Sequence, residues 1–301
     1  MVQVAIAGET VELSNLDKVL YPETGFTKGD MIGYYEAISP IMLPHLAHRP
    51  VTVKRYPNGV TGLFFYEKRC PAKRPSWVAT ATVTSERHGS LTFCVIDTAA
   101  SLVWMANRAA IEFHTYLHRQ TQENRPTMLV FDLDPGEPAT LHDCLEIGVI
   151  LRDLLAQLGL KSWAKTSGGK GLHLGVPITG ASFAEAKTFA HGLADLLARK
   201  HPKRVTSVMA KIERRGKVFI DWSQNDHGKT TACAYTLRAR ERPSVSTPVS
   251  WEEVERACRR RKASTLEFMA DDVVHRVKEL GDLFAPTLTL RQQLPSLTPT
   301  R

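Results

Sequence analysis

Cysteine is scarce in this chain and badly placed for a structural metal. Its five cysteines, Cys70, Cys94, Cys144, Cys233 and Cys258, stand far apart, and no two have the C-x-x-C spacing of a zinc site. An odd, scattered set fits a reducing cytosol. Long apolar runs are missing too: none approaches the roughly 18 uninterrupted residues a membrane helix needs. The N-terminus, MVQVAIAGETVEL, lacks the basic start and apolar stretch of an export signal. These absences predict a soluble cytosolic protein with no membrane partner. No internal repeat occurs, and no biased segment precedes the tail TLTLRQQLPSLTPTR, whose prolines and threonines read as a linker over residues 291–301.

What is present is enough for a large core. With 301 residues and 43% hydrophobic content, the chain fits one large domain or two closely joined lobes. Lysine and arginine total 39 against 31 acidic residues, a formal charge of +8. That surplus favours polyanionic partners through counterion release, although it says nothing about fold.

A hydroxyl residue three places ahead of an acid marks four helix starts: Thr27 with Asp30, Thr140 with Asp143, Ser182 with Glu185, and Ser250 with Glu253. Between them lie short β-branched or aromatic runs at 51–56, 91–96, 128–133, 162–166, 172–176 and 218–222, read as strands. Residues 101–119 read as a helix with Leu102, Met105, Ala109, Phe113 and Leu117 inward, placing His114 and His118 one turn apart. The mixture predicts an α+β enzyme whose N-terminal section, to about residue 120, packs beside a section carrying the acidic and glycine-rich motifs.

Three motifs can carry chemistry. In MLVFDLDPG, residues 128–136, an apolar strand delivers Asp132 and Asp134 to one face and is stopped by Pro135 and Gly136. Two such carboxylates repel unless a cation lies between them, and hard divalent ions prefer oxygen ligands. A surface turn would have the same composition. A second strand, KVFIDW, puts Asp221 after three apolar residues, where an unpartnered carboxylate is costly. If the two strands are neighbours, three aspartates can hold two divalent ions.

The third motif, TSGGKGLH at 166–173, reads as a glycine-rich turn between strands whose backbone N–H groups can approach phosphate oxygens. It is not a Walker A loop, because Lys170 is followed by Gly171. Nor is His114-Thr-Tyr-Leu-His118 a zincin motif, since the glutamate is missing. Basic pairs occur at Lys54-Arg55, Lys68-Arg69 and Lys73-Arg74, in Arg214-Arg215-Gly-Lys217, and as a run from Arg259 to Lys262 that reads as a solvated helix face. Leu63-Phe-Phe-Tyr66 offers aromatic surface on which a base could stack, with core packing the competing reading for Phe64 or Phe65.

In their order along the chain, LDKVLYP, the TKGD helix start, KRYPNG, FDLDPG, SGGKGLH, VFIDWSQN and the YTLRAR strand resemble the polymerase domain of bacterial DNA ligase D, a member of the archaeo-eukaryotic primase superfamily. The resemblance runs from about Leu13 to Phe284. It implies a primase-polymerase fold over residues 1–290, with an RNA-recognition-motif-like catalytic half packed against an N-terminal half and a split near residue 120. It also implies template-directed, gap-filling and end-extending nucleotide addition, with ribo- or deoxyribonucleotides, in bacterial non-homologous end joining.

By position, the resemblance gives Asp132, Asp134 and Asp221 as ligands of two manganese or magnesium ions. Ser167, Lys170, His173, His114 and Arg238 become contacts to the incoming nucleoside triphosphate. Asn15, Lys18 and Lys28 become the site for a downstream 5′-phosphate, with the start of the helix at Lys28 expected to add free N–H donors. Phe64 and Phe65, with Lys54 and Arg55, face the template and primer, and Arg214 handles the primer terminus. No adenylation motif K-x-D-G occurs, so sealing falls to a ligase domain or separate ligase, alongside a Ku-like end-binding protein. Two other readings stay open: a metal-dependent phosphodiesterase or nuclease, and a non-catalytic DNA-end-binding module.

Overall fold

The computed structural model describes residues 1–85 and 89–296. From the N-terminus its elements are β1 (Val2–Ile6), β2 (Glu9–Leu13), β3 (Val19–Tyr21), β4 (Phe26–Thr27), α1 (Lys28–Leu46), β5 (Pro50–Arg55), β6 (Phe65–Glu67), β7 (Thr80–Ser85), β8 (Gly89–Val95), α2 (Ala99–Asn107) and β9 (Ala110–Tyr116). They continue with β10 (Met128–Pro135), α3 (Leu141–Gln157), β11 (Trp163–Thr166), β12 (Leu172–Pro177), α4 (Phe183–Lys200), β13 (Val205–Thr206), β14 (Val218–Asp221) and β15 (Thr230–Ala232). The last are β16 (Pro248–Val249), α5 (Trp251–Arg260), α6 (Ala270–Leu280) and α7 (Pro286–Thr289). All four hydroxyl-acid pairs start helices, the acid accepting the backbone N–H of the cap residue at Thr27, Thr140, Ser182 and Ser250.

The chain divides into two compact units. The first comprises residues 1–121, 230–247 and 268–282; the second comprises 122–229, 248–267 and 283–301. In the first, β15-β9-β5-β8-β7 form one sheet, with β6 also paired to β5. Helix α1 buries Met31, Tyr35, Ile38, Met42 and Leu46, a helical stripe at spacings of three and four. The Tyr35 hydroxyl reaches the carbonyl of Ile111, and its ring packs edge-on against Phe113, which ties α1 to one face of β9. That leaves Glu112 and His114 on the other face of the strand.

The second unit is a six-stranded sheet, β13-β14-β10-β12-β11-β16. Its four central strands, in the order β14-β10-β12-β11, are all antiparallel, and the chain visits them as β10-α3-β11-β12-α4-β14. This is the split βαβ arrangement of RNA-recognition-motif-like domains, as the resemblance implies. Helix α3 covers the face bearing Leu133, Leu172 and Leu174, where Gly148 approaches so closely that a Cβ would lie 2.6 Å from the Leu172 side chain. The aspartates occupy the opposite face.

Four readings need correction. Residues 101–119 are not one helix: α2 ends at Asn107, Ala109 takes a φ of 61°, and β9 follows. The apolar positions there satisfy a period of two as well as a helical stripe, and pairing with β5 and β15 decides for the strand. YTLRAR is not a strand either. Tyr235 has a φ of 68°, and the segment makes one isolated bridge, Leu237 to Val245. Cys70 and Cys94 are joined in a disulfide across 24 residues, which the wide spacing concealed. The tail is partly docked: Gln292 bonds Lys161 and Pro177 in the second unit. Residues 297–301 lie outside the described residues.

Among the described residues no helix is long and apolar enough to cross a membrane.

Candidate active site

Strand register brings the acidic motifs together. Asp132 on β10 lies directly opposite Asp221 on β14, and Asp134 opposite Phe219. On its other side Asp132 is opposite His173 of β12, which is opposite Lys165 of β11. Side chains directly opposite in a ladder share a face. One row therefore crosses four strands as Asp221, Asp132, His173 and Lys165. His173 Nε2 stands 3.2 Å from Asp132 Oδ1, and the Lys165 ammonium donates to His173 Nδ1 at 3.0 Å. With Nδ1 accepting, Nε2 carries the ring proton on the side near Asp132.

The cross-strand carboxylates supply the oxygen donors that hard divalent ions prefer. Asp221 is held by neighbours: Oδ1 accepts from the N–H and hydroxyl of Ser223 at 2.9 and 2.6 Å, and Oδ2 from Gln224 at 3.1 Å. Among the described residues, no group of three or more His, Cys, Asp or Glu stands in a geometry that could hold a metal ion. The donor set fits by type and strand position, while Asp221 would have to exchange some of these bonds for an ion. Behind β10, burial pushes the Cys144 thiol far up, and the charges of Asp134, Asp143 and Asp132 add to the effect.

Two glycines are dictated by close approach. A Cβ on Gly171 would lie 2.4 Å from the carbonyl of Leu133 and 3.4 Å from Asp134, so the turn after β11 can sit against the aspartate strand only without a side chain. A Cβ on Gly136 would lie 1.9 Å from the carbonyl of Arg214. Gly136 N–H donates to Lys217 O, and Gly216 N–H to Gly136 O, so the Pro-Gly stop after Asp134 is also the seat of the basic loop. The Arg214 guanidinium lies 3.6 Å from the ring centre of Phe219, the residue facing Asp134.

The glycine-rich segment is the hairpin turn expected, but its N–H groups are not bare. Those of Gly169 and Gly171 donate to Ser167 Oγ at 3.1 and 3.0 Å, so the turn presents a side chain where naked backbone was anticipated. Lys170 is exposed and pairs with Glu137 at 2.9 Å.

The first unit holds the other anticipated phosphate contacts. His114 and Arg238 meet on Glu112, a residue the sequence reading passed over. Glu112 Oε2 is 2.9 Å from His114 Nε2 and 3.2 Å from Arg238 Nε, and Oε1 accepts the Ala239 N–H at 3.0 Å. Burial pushes the Glu112 carboxyl up, but the hydrogen bond from His114 and the charge of Arg238 outweigh it and hold the group at about 2. Lys165 was missed as well. Both are charged side chains buried within strands, and the pairing that a buried charge requires is the signal that betrays them.

Phe64 and Phe65 are surface residues, 49% and 44% exposed, so neither is core. Phe64 stacks on Tyr56, and the Lys54 ammonium lies 4.0 Å from its ring centre. Arg55 lies over Phe65 but is also committed to Glu67 and to the carbonyl of Arg108.

Asn15, Lys18 and Lys28 do gather. Asn15 has a φ of 52° and its carbonyl accepts from Lys18 N–H, while Lys28 N–H donates to Lys18 O. Burial pulls the Lys28 ammonium below its usual pKa, and the charge of Lys18 pulls it further. The helix start offers no free donors in this first turn, contrary to expectation. The N–H groups of Lys28, Gly29 and Asp30 are taken by Lys18 O, Leu16 O and Thr27 Oγ1.

A family model described as the LigD primase-polymerase domain matches residues 27–284. The multifunctional non-homologous end joining protein LigD of Mycolicibacterium smegmatis is 42% identical over 281 residues, covering 92% of this chain and 36% of that protein. The bifunctional LigD of Bacillus subtilis is 30% identical over 273 residues, covering 90% of this chain and 43% of that protein. The chain thus spans little more than a third of the first of these relatives. Among solved structures, the polymerase domain of Mycobacterium tuberculosis ligase D in complex with DNA matches at a TM-score of 0.86 and 41% identity, covering 92% of this chain and 98% of that one.

Proposed function

The chain belongs to the LigD primase-polymerase domain family, and from that premise we propose that it is a nucleotidyltransferase that fills gaps and extends DNA ends for non-homologous end joining. The observation that carries the reading is the pairing of Asp132 with Asp221 beside His173, on the uncovered-by-α3 face of the β10 sheet. Asp132, Asp134 and Asp221 would hold two manganese or magnesium ions. Bound there, such ions neutralise triphosphate oxygens and make a primer 3′-hydroxyl a better nucleophile.

The remaining roles belong to the chain's own groups. His173, fixed by Lys165 with its proton on Nε2, supplies a directed donor at the edge of the carboxylates. Ser167 and Lys170 on the glycine turn, with His114 and Arg238 in the first unit, bind phosphate oxygens of a ribo- or deoxyribonucleoside triphosphate. Phe64 and Phe65 offer stacking surface to the template, with Lys54 and Arg55 beside them. Arg214, seated on Phe219, attends the primer terminus. Asn15, Lys18 and Lys28 receive a downstream 5′-phosphate. Joining requires a ligase activity and a Ku-like end-binding protein, working in the bacterial cytosol.

One incubation tests the reading: a labelled primer on a gapped template with manganese and each nucleotide type. Lengthening supports it. Shortening would identify a phosphodiesterase, and a mobility shift alone a binding module; either result overturns the proposal.

A further inference from the structure

The irregular segment after Tyr235 raises a question of aim. Arg238 lies on no strand; its backbone N–H donates to the Ser244 carbonyl at 2.8 Å beside the isolated Leu237–Val245 bridge, and side chains pin the segment further. Tyr35 Oη accepts the Leu237 N–H at 3.1 Å, Tyr21 Oη donates to the Arg238 carbonyl at 3.1 Å, and Glu112 takes the Ala239 N–H at 3.0 Å. Both tyrosines are fully buried, and Glu112 is 3% exposed. The same carboxylate grips the Arg238 side chain at Nε and His114 at Nε2. One buried anion thereby joins a strand residue to a loop residue, each of which is only partly covered.

We propose that Glu112 is a positioning residue for the nucleotide triphosphate, holding His114 and Arg238 as one preset pair of phosphate donors. The inference rests on the reading of the chain as a nucleotidyltransferase. Two physical effects of the carboxylate oppose each other. Its charge repels a triphosphate, so removing it should tighten binding if nothing else mattered. Its hydrogen bond with His114 and its ion pair with Arg238 orient the two donors in advance, so removing the charge should loosen binding by freeing the side chains. Three short contacts on a buried carboxylate, two of them to the phosphate donors themselves, favour the second effect.

The test is Glu112→Gln, which keeps the shape and removes the charge. The probe is ATP with manganese on the full chain, followed by calorimetric binding without DNA and by primer extension. The expected result is a rise of about tenfold in both Kd and KM for ATP, with kcat and gapped-DNA affinity changed by less than about threefold. A general loss of structure would not produce that split. In an Arg238→Ala background the same substitution should cost much less, because the donor it orients is gone. Unchanged or tighter ATP binding by Glu112→Gln, or full additivity with Arg238→Ala, overturns the inference. Should the glutamine variant fail to fold, Glu112→Asp, which keeps the charge but shortens the reach, is measured with the same expected direction. A wild-type chain that never lengthens a primer sinks the functional reading itself, whereas extension with an indifferent Glu112 sinks this inference alone.

Discussion

Replacing Lys18 with Ala and Lys28 with Met should erase a preference for gapped DNA carrying a downstream 5′-phosphate. Two charge-assisted contacts at roughly 1.5 kcal/mol each would give about 3 kcal/mol, a preference above a hundredfold. The structure argues for less. The N–H groups at the start of α1 are already bonded, so the helix contributes no new donors there. The Lys28 ammonium is engaged by Ser14, and Lys18 donates to Asn58 at 2.9 Å, so a phosphate would exchange bonds and not simply add them. Against this, burial and the neighbouring Lys18 charge hold the Lys28 ammonium below its ordinary pKa, and an arriving dianion relieves that repulsion. About half the additive figure, roughly 1.4 kcal/mol or tenfold, is expected at moderate salt. Methionine at position 28 keeps a long stem in a position only 5% exposed. The assay is anisotropy titration of two labelled gaps that differ only in 5′-phosphate or 5′-hydroxyl. The wild type should favour the phosphate about tenfold, and the double variant should treat both alike while binding the hydroxyl gap nearly as before. Equal wild-type affinities, or a preference surviving both substitutions, would refute the site.

His173→Ala should raise KM for nucleotides by about tenfold or more while leaving DNA affinity nearly intact, as expected for a charge-assisted phosphate contact; loss of DNA binding with unaltered nucleotide kinetics would contradict it. Glu112, held at about 2 against an ordinary 4.5, contributes stability that is fully present above pH 4.5 and lost as pH falls through about 2. That contribution is about 3 kcal/mol at most, so thermal melts of Glu112→Gln should show a shallower loss between those limits than wild type, and parallel curves would count against the assignment. Peptide mapping without reductant should find Cys70 linked to Cys94, and Cys70→Ser should cost about 3 kcal/mol in denaturant unfolding, given the 24-residue separation. Free thiols at both positions in the unreduced protein would reject that pairing.

Much of the second unit was legible because its signals are local and agree with one another. The alternation in MLVFDLDP, the Pro-Gly stop and the strand-turn-strand around 166–172 each point to one conformation, and the same β10 register then pairs Asp132 with Asp221. The first unit was harder. Leu102, Met105, Ala109, Phe113 and Leu117 satisfy a helical stripe, yet Ile111, Phe113 and Thr115 also alternate, and only pairing with β5 and β15 selects the strand. That misreading hid Glu112, whose place beside His114 follows from a period of two. The Cys70–Cys94 link was out of reach because it depends on which distant segments become neighbours, whereas the Lys165–His173 contact needed only the register across the expected 167–171 turn.

The central claim is that the aspartates serve chemistry while the basic and aromatic surfaces serve affinity. Its most direct measurement is primer extension on a phosphorylated gap by Asp132→Ala, Asp134→Ala and Asp221→Ala, each paired with a DNA-binding titration of the same preparation. Each variant should lose extension by far more than tenfold while gapped-DNA affinity stays within about threefold of wild type. Extension within about tenfold of wild type, a barrier change of only about 1.4 kcal/mol, would contradict the account.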